Sequence, residues 1–164
     1  MNDIMSAGVH RIWKNYFVEK IRPTANLTYL DVAGGTGDIA LRILRRVENY
    51  LPADAPFITI CDINSNMMAA GKERNDLQPY LNQSTCSFCS NLAFVFIVIW
   101  KEGNAEELPF PDDSFDVYTI AFGIRNCTRI DKVLREAHRV LKPYGRFYCL
   151  EFSAVNNPLL KKYP

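Results

Sequence analysis

Short apolar runs and stretches with helical spacing take turns along this chain, and their alternation predicts its elements. Val9, Ile12, Trp13, Phe17 and Ile21 recur at helical intervals and predict a helix over 9–22, stopped by Pro23. Leu27 to Val32 reads as a buried strand. A helix follows from Asp38 to Tyr50, with Ile39, Leu41, Ile43, Leu44 and Val47 inward and Arg42, Arg45, Arg46 and Glu48 outward. Phe57 to Cys61 is a second strand ending at Asp62, and Ser65 to Asn75 a helix capped by Asn64 or Ser65. The pattern lapses after Pro79 and returns at Phe94 to Trp100, a third strand. Phe115 to Ala121 is a fourth. Ile130 to Leu141 is a helix with Ile130, Val133, Leu134, Ala137, Val140 and Leu141 on its apolar side. The turn "KPYG" then leads into a fifth strand, Arg146 to Phe152.

No Gly/Ser-rich linker and no repeat interrupts this alternation, so residues 1–164 read as one domain. Apolar strands without polar alternation predict an α/β fold, a doubly wound, mostly parallel sheet covered on both faces. Ligands of such sheets bind beyond the carboxyl ends of the strands. Asp31 to Gly37, Asp62, Asn104 to Glu107 and Gly123 to Asn126 then fall along one edge, which becomes the candidate site.

Composition narrows the picture by exclusion. Apolar residues at 48% and charged ones at 23% match ordinary globular usage, and a net charge of +1 gives no electrostatic reason to expect nucleic acid or an anionic membrane. The longest apolar run, "LAFVFIVIW", has nine residues against the ~20 a spanning helix needs. Five scattered cysteines do not make a secreted disulfide framework, and point to a reducing compartment. Cys86 and Cys89 form one C-x-x-C without a second pair, and His10 and His138 lie in distant elements, so no metal site is expected. Cys61, Cys127 and Cys149 fit buried thiols. The opening residues lack both a signal-peptide pattern and an Arg- and Ser-rich transit segment, and Met1 reads as an internal start.

The chemistry gathers at "DVAGGTGDIA", residues 31–40. "GTGDIA" satisfies the dinucleotide pattern G-x-G-x-x-A between a strand and a helix, which alone is a weak signal. Asp62, 25 residues beyond Gly37, is placed to accept hydrogen bonds from a ribose diol. NAD and a nucleoside-type methyl donor both need that contact, and a helix-capping role for Asp62 is the plain alternative. Asp31 discriminates between the two ligands. A carboxylate at the head of the loop repels a pyrophosphate and suits a cation. S-adenosylmethionine carries an ammonium, a sulfonium and no phosphate, and it is the favoured ligand.

"DVAGGTGDIA", "GNAEELPFPDDSFD" (103–116), "FGIRN" (122–126), "EAHRVLKPYGRFYCLEFS" (136–153) and the opening "MNDIMSAGVHRIWK" together resemble the ubiquinone/menaquinone biosynthesis C-methyltransferases. The resemblance covers most of the chain except roughly residues 76–102. It implies a class I S-adenosylmethionine-dependent, Rossmann-like fold and, by its wording, the mitochondrial branch that methylates a 2-methoxy-6-polyprenyl-1,4-benzoquinol. It also implies a place on the matrix side of the inner membrane, peripheral and without a transmembrane helix, beside other quinone-biosynthesis proteins in a membrane-associated complex. Gly34, Gly35, Thr36 and Gly37 would cradle the methionine part of the donor, with Asp31 facing its charge. Asp62 would hold the ribose, and Asn104 and Ala105 would flank the adenine. Arg125 would stabilise a phenolate developing on the quinol, and Asn126 would orient a ring hydroxyl. Arginine is a poor base, which leaves water or His10 to take the proton. The competing readings are an ion pair for Arg125 and helix packing for His10.

Three departures from the family pattern stand out. Tyr144 replaces the second glycine of "KPGGR", which at positive φ costs on the order of 1 kcal/mol. Residues 81–102 fit poorly and read as an insertion or a gene-model error. The chain is also expected to stop after the fifth strand, short of the segments that complete the sheet and the acceptor pocket. Two other functions therefore stay open at this level: an inactive methyltransferase-fold scaffold and an NAD-dependent oxidoreductase.

Overall fold

The computed structural model describes residues 9–47, 57–78 and 97–152. In chain order its elements are α1 (Val9–Ile21), β1 (Thr28–Val32), α2 (Asp38–Val47), β2 (Phe57–Asp62), α3 (Ser65–Lys72) and β3 (Ile97–Glu102). β4 (Phe115–Ala121), a 3-10 turn (Ile124–Asn126), α4 (Ile130–Val140) and β5 (Leu141–Leu150) complete them. The five strands form one parallel sheet in the order β3-β2-β1-β4-β5. The order reverses between β1 and β4, so their carboxyl ends open onto a crevice at the switch point.

Alternation along β1 divides the core. Tyr29 joins Ile58, Ile60 and Val117 under Phe17, Val18, Ile21, Ile39, Ile43 and Leu44 of α1 and α2. Leu30 and Val32 join Tyr118 and Ile120 against Val133, Ala137 and Val140 of α4. Asp31, between them in β1, falls on the α1–α2 side.

Several sequence expectations shift. On α1 the buried positions are His10, Phe17, Val18 and Ile21, while Val9, Ile12 and Trp13 are exposed. The expected stripe is displaced because Trp13 packs on Phe122 and Phe152 at the cleft rim instead of entering the core. α4 buries a narrower stripe than expected, with Ile130 and Leu134 exposed. α3 ends at Lys72, where the Glu73 N–H bonds back to Ala69 and Gly71, and Asn64 provides its N-cap. β3 runs on to Glu102 at the sheet edge. β5 begins at Leu141, but its ladder jumps from Leu141 to Arg146, so "KPYG" bulges out as a turn within it. Tyr144 in that bulge has φ 67° and is fully exposed. Cys61 is buried as expected, whereas Cys127 is only partly buried and Cys149, on β5 at the edge of the sheet among the described residues, is exposed. Cys86, Cys89 and most of the atypical segment lie outside the described residues. Among the described residues no helix is long and apolar enough to cross a membrane.

Candidate functional site

The crevice is an open cleft of about 570 Å³ at the carboxyl ends of β1, β2 and β4. β1 and the loop after it contribute Asp31 through Thr36, β2 contributes Asp62, and the segment after β3 contributes Gly103 to Glu106. Ala121 to Gly123 and Asn126 to Thr128 close the opposite wall.

The glycine loop is stitched to the end of β2. Gly34 N–H donates to the Cys61 carbonyl at 3.4 Å, and Gly35 N–H to Asp62 Oδ2 at 2.8 Å. A Cβ on Gly34 would lie 2.7 Å from Ile60 Cγ2 and 2.9 Å from Asp31 Oδ2, so only glycine fits where the loop crosses the carboxylate. Gly37 serves a different purpose. It takes φ 77° and abuts Ile60, Trp100 and Leu77, which lets α2 start close over the sheet. Gly37 does not line the cleft; the other loop residues named from the sequence do.

Asp31 is 1% exposed. Its Oδ1 accepts from the Thr119 hydroxyl at 2.8 Å, but Oδ2 has no partner although it is buried. Burial pushes its carboxyl up to about 7, against the pull of the Thr119 bond and of Lys14, while Asp38 and Asp62 push it further. An unpaired buried carboxylate oxygen costs free energy on the order of 1–3 kcal/mol unless something cationic or donating reaches it. Asp31 is among the residues that line the cleft.

Asp62 lines the cleft with Oδ1 accepting from Asn64 N–H and Oδ2 from Gly35 N–H, both at 2.8 Å. Each oxygen keeps a second lone pair, so the anchoring role and a diol contact are compatible. Asn104 and Ala105 line the wall beyond it; Asn104 Oδ1 accepts from Glu106 N–H at 2.9 Å. Glu106 accepts from Thr128 and Arg129 N–H at 2.8 and 2.9 Å, tying that wall to the turn before α4.

On the far wall Asn126 lines the cleft and Arg125 does not. The Arg125 guanidinium pairs with Glu151 and sits 4.9 Å over the Phe152 ring, at the rim. His10 is buried on the core face of α1, away from the cleft lining.

Two features escaped the sequence reading. Lys14 and Asp38 line the cleft as a 2.9 Å ion pair between α1 and α2. Arg139 of α4 holds the 103–116 loop by donating to the carbonyls of Phe110 (2.7 Å) and Leu108 (3.0 Å) and to Asp112 (2.8 Å). Glu136 beside it accepts from Leu108 N–H at 2.7 Å. The signal for Lys14 was its place three and four residues before Phe17 and Val18, on the buried face.

A parallel sheet in this order, with a glycine loop at its switch point and an acid closing β2, is common to dinucleotide-binding domains and class I S-adenosylmethionine-dependent methyltransferases, and the comparisons with known proteins select the methyltransferase fold. Solved structures agree. YcgJ from Bacillus subtilis superposes with a TM-score of 0.66 at 26% identity, over 91% of this chain and 54% of its own. A SAM-dependent methyltransferase from Aquifex aeolicus gives 0.65 at 16% identity, over 88% and 67%, which speaks to the fold alone. The chain belongs to the ubiE/COQ5 methyltransferase family, whose model matches residues 1–163.

Relatives from Drosophila melanogaster (50% identical, 98% of this chain, 52% of the relative) and Dictyostelium discoideum (46%, 98% and 54%) are similar to it. So is the human relative (45%, 99% and 54%). All three are named 2-methoxy-6-polyprenyl-1,4-benzoquinol methylase, mitochondrial. The chain spans about half the length of these curated relatives.

Proposed function

We propose that this protein is an S-adenosylmethionine-dependent C-methyltransferase acting on a polyprenyl methoxy-benzoquinol ring in ubiquinone biosynthesis. The observation that carries the proposal is the buried, unpaired Asp31 Oδ2 beside Gly34, in a cleft also lined by Asp38, Asp62 and Glu106. These residues fit a cationic ligand and disfavour a pyrophosphate. Membership of a methyltransferase family lends the oxidoreductase reading no support.

The bound cofactor would supply an electrophilic methyl group on a sulfonium sulfur. Asp31 accepts from the donor's ammonium, Asp62 from its ribose hydroxyls, and Asn104 and Ala105 flank its base. Gly34, Gly35 and Thr36 let the amino-acid end approach the backbone. Gly37 acts behind them by seating α2. Asn126 orients a ring hydroxyl from the far wall. Arg125 spends one of its five N–H donors on Glu151 and keeps others for a phenolate oxygen, raising the ring carbon's nucleophilicity. Phe122, its ring tilted against Phe152 with centroids 4.9 Å apart, adds an aromatic side chain to the cleft lining.

The relatives' names support the quinol acceptor and a mitochondrial setting. The finer placement, peripheral on the matrix side of the inner membrane within a quinone-biosynthesis complex, goes with the same reading. Methyl transfer from labelled S-adenosylmethionine to a short-chain 2-methoxy-benzoquinol lacking the ring methyl tests it. Label on a ring carbon is expected. Donor binding without any transfer would favour the inactive scaffold instead.

A further inference from the structure

We infer that Lys14 is a binding residue for the carboxylate at the amino-acid end of the methyl donor, in the same cleft as the Asp31 position for its ammonium. The inference rests on the methyl-donor reading. Among the described residues that line the cleft, Lys14 is the one cation in a wall of four acids, Asp31, Asp38, Asp62 and Glu106. An acidic cleft by itself selects a cation and leaves a carboxylate repelled. A donor that ends in an α-amino acid carries both charges, and needs one positive group placed for the second.

Lys14 is built into that place. It falls on the same face of α1 as Phe17, Val18 and Ile21, so its stem is covered, and its side chain is only 15% exposed. Its Nζ donates to Asp38 Oδ2 at 2.9 Å, which uses one of three N–H groups. Asp38 is also approached by Arg42 at 3.3 Å and by Arg74, itself paired with Asp76, at 4.0 Å. One carboxylate thus serves several cations, so Asp38 does not neutralise Lys14 alone.

A staple between α1 and α2 would explain the Lys14–Asp38 pair alone. It would not explain why the Asp31 Oδ2 in the same cleft is buried without a partner. A zwitterion reaching both groups accounts for both.

Calorimetric titration of the full chain tests this with three ligands. These are S-adenosylmethionine, its decarboxylated analogue and methylthioadenosine, which lacks the amino-acid end. Lys14→Met is expected to raise the Kd for S-adenosylmethionine roughly tenfold or more, the worth of a charge-assisted hydrogen bond. The other two ligands should bind the variant and the parent protein alike, and Lys14→Arg should restore S-adenosylmethionine binding. Equal losses for all three ligands, or an unchanged Kd for S-adenosylmethionine, would overturn the assignment while leaving the donor site standing. If the parent protein bound none of the three, the donor reading itself would fall and Lys14 with it.

Discussion

Replacing Asp31 by asparagine should change how stability depends on pH more than it changes stability at any one pH. In the folded protein burial raises the Asp31 carboxyl from 3.8 to about 7, so it holds its proton where the unfolded chain has lost it. Between those two values the folded state binds more protons than the unfolded state, and stability falls as pH rises. At about 1.4 kcal/mol per pH unit, ionised Asp31 costs the ligand-free fold roughly 4 kcal/mol above pH ~7. Between about pH 5 and pH 8 the cost grows by about 2.5 kcal/mol.

Asparagine keeps an acceptor for the Thr119 hydroxyl but brings an amide N–H₂ that also needs a partner, so its absolute effect is a balance of opposing contributions. The slope is not balanced in this way, because asparagine does not titrate. Urea unfolding across that pH range should therefore show the parent losing about 2.5 kcal/mol more than Asp31→Asn. Parallel stability curves for the two proteins would refute a buried, strained carboxylate. The same linkage requires binding of a cationic donor below pH ~7 to release a proton, visible as a buffer-dependent heat.

Tyr144→Gly should stabilise the fold by about 1 kcal/mol, since Tyr144 is fully exposed at φ 67° and has only backbone strain to lose. A lower urea midpoint for the glycine variant would contradict this. Arg139→Leu should cost about 2–3 kcal/mol, because it strips charge-assisted bonds from the Leu108 and Phe110 carbonyls and leaves them without a donor. Denaturant titration checks the loss, and a change within ~0.5 kcal/mol would make the clamp ornamental.

The loop and the sheet were legible in the sequence because local signals agree there. An apolar strand, clustered glycines and an amphipathic helix follow one another in "DVAGGTGDIA", and Asp62 closes the next unit. That Gly37 lies behind the cleft and seats α2 was not legible, because it depends on Trp100 and Leu77 from distant segments. The faces of α1 were less legible. Ile12 and Trp13 have the hydrophobicity of core residues but lie outside it, Trp13 against rim aromatics contributed by Phe122 and Phe152. Lys14 has the polarity of a surface residue and lies on the covered side. Residue type alone does not separate a stem that is buried from a head that reaches the cleft.

Arg139 was illegible for another reason. Its acceptors sit 27 to 31 residues away, and nothing local marks a guanidinium as a clamp for a distant loop. Arg125 illustrates the reverse case. Its motif suggested a group facing the ligand, and the fold sets it at the rim against Glu151.

The proposed seat of an adenosyl methyl donor in this cleft rests on Asp31 and Asp62. Titrating S-adenosylmethionine and NAD separately into the protein and into Asp62→Ala tests it most directly. One-site binding of S-adenosylmethionine, weakened at least about tenfold by Asp62→Ala, with no heat from NAD, is the predicted result. Binding of NAD with no response to S-adenosylmethionine would contradict it.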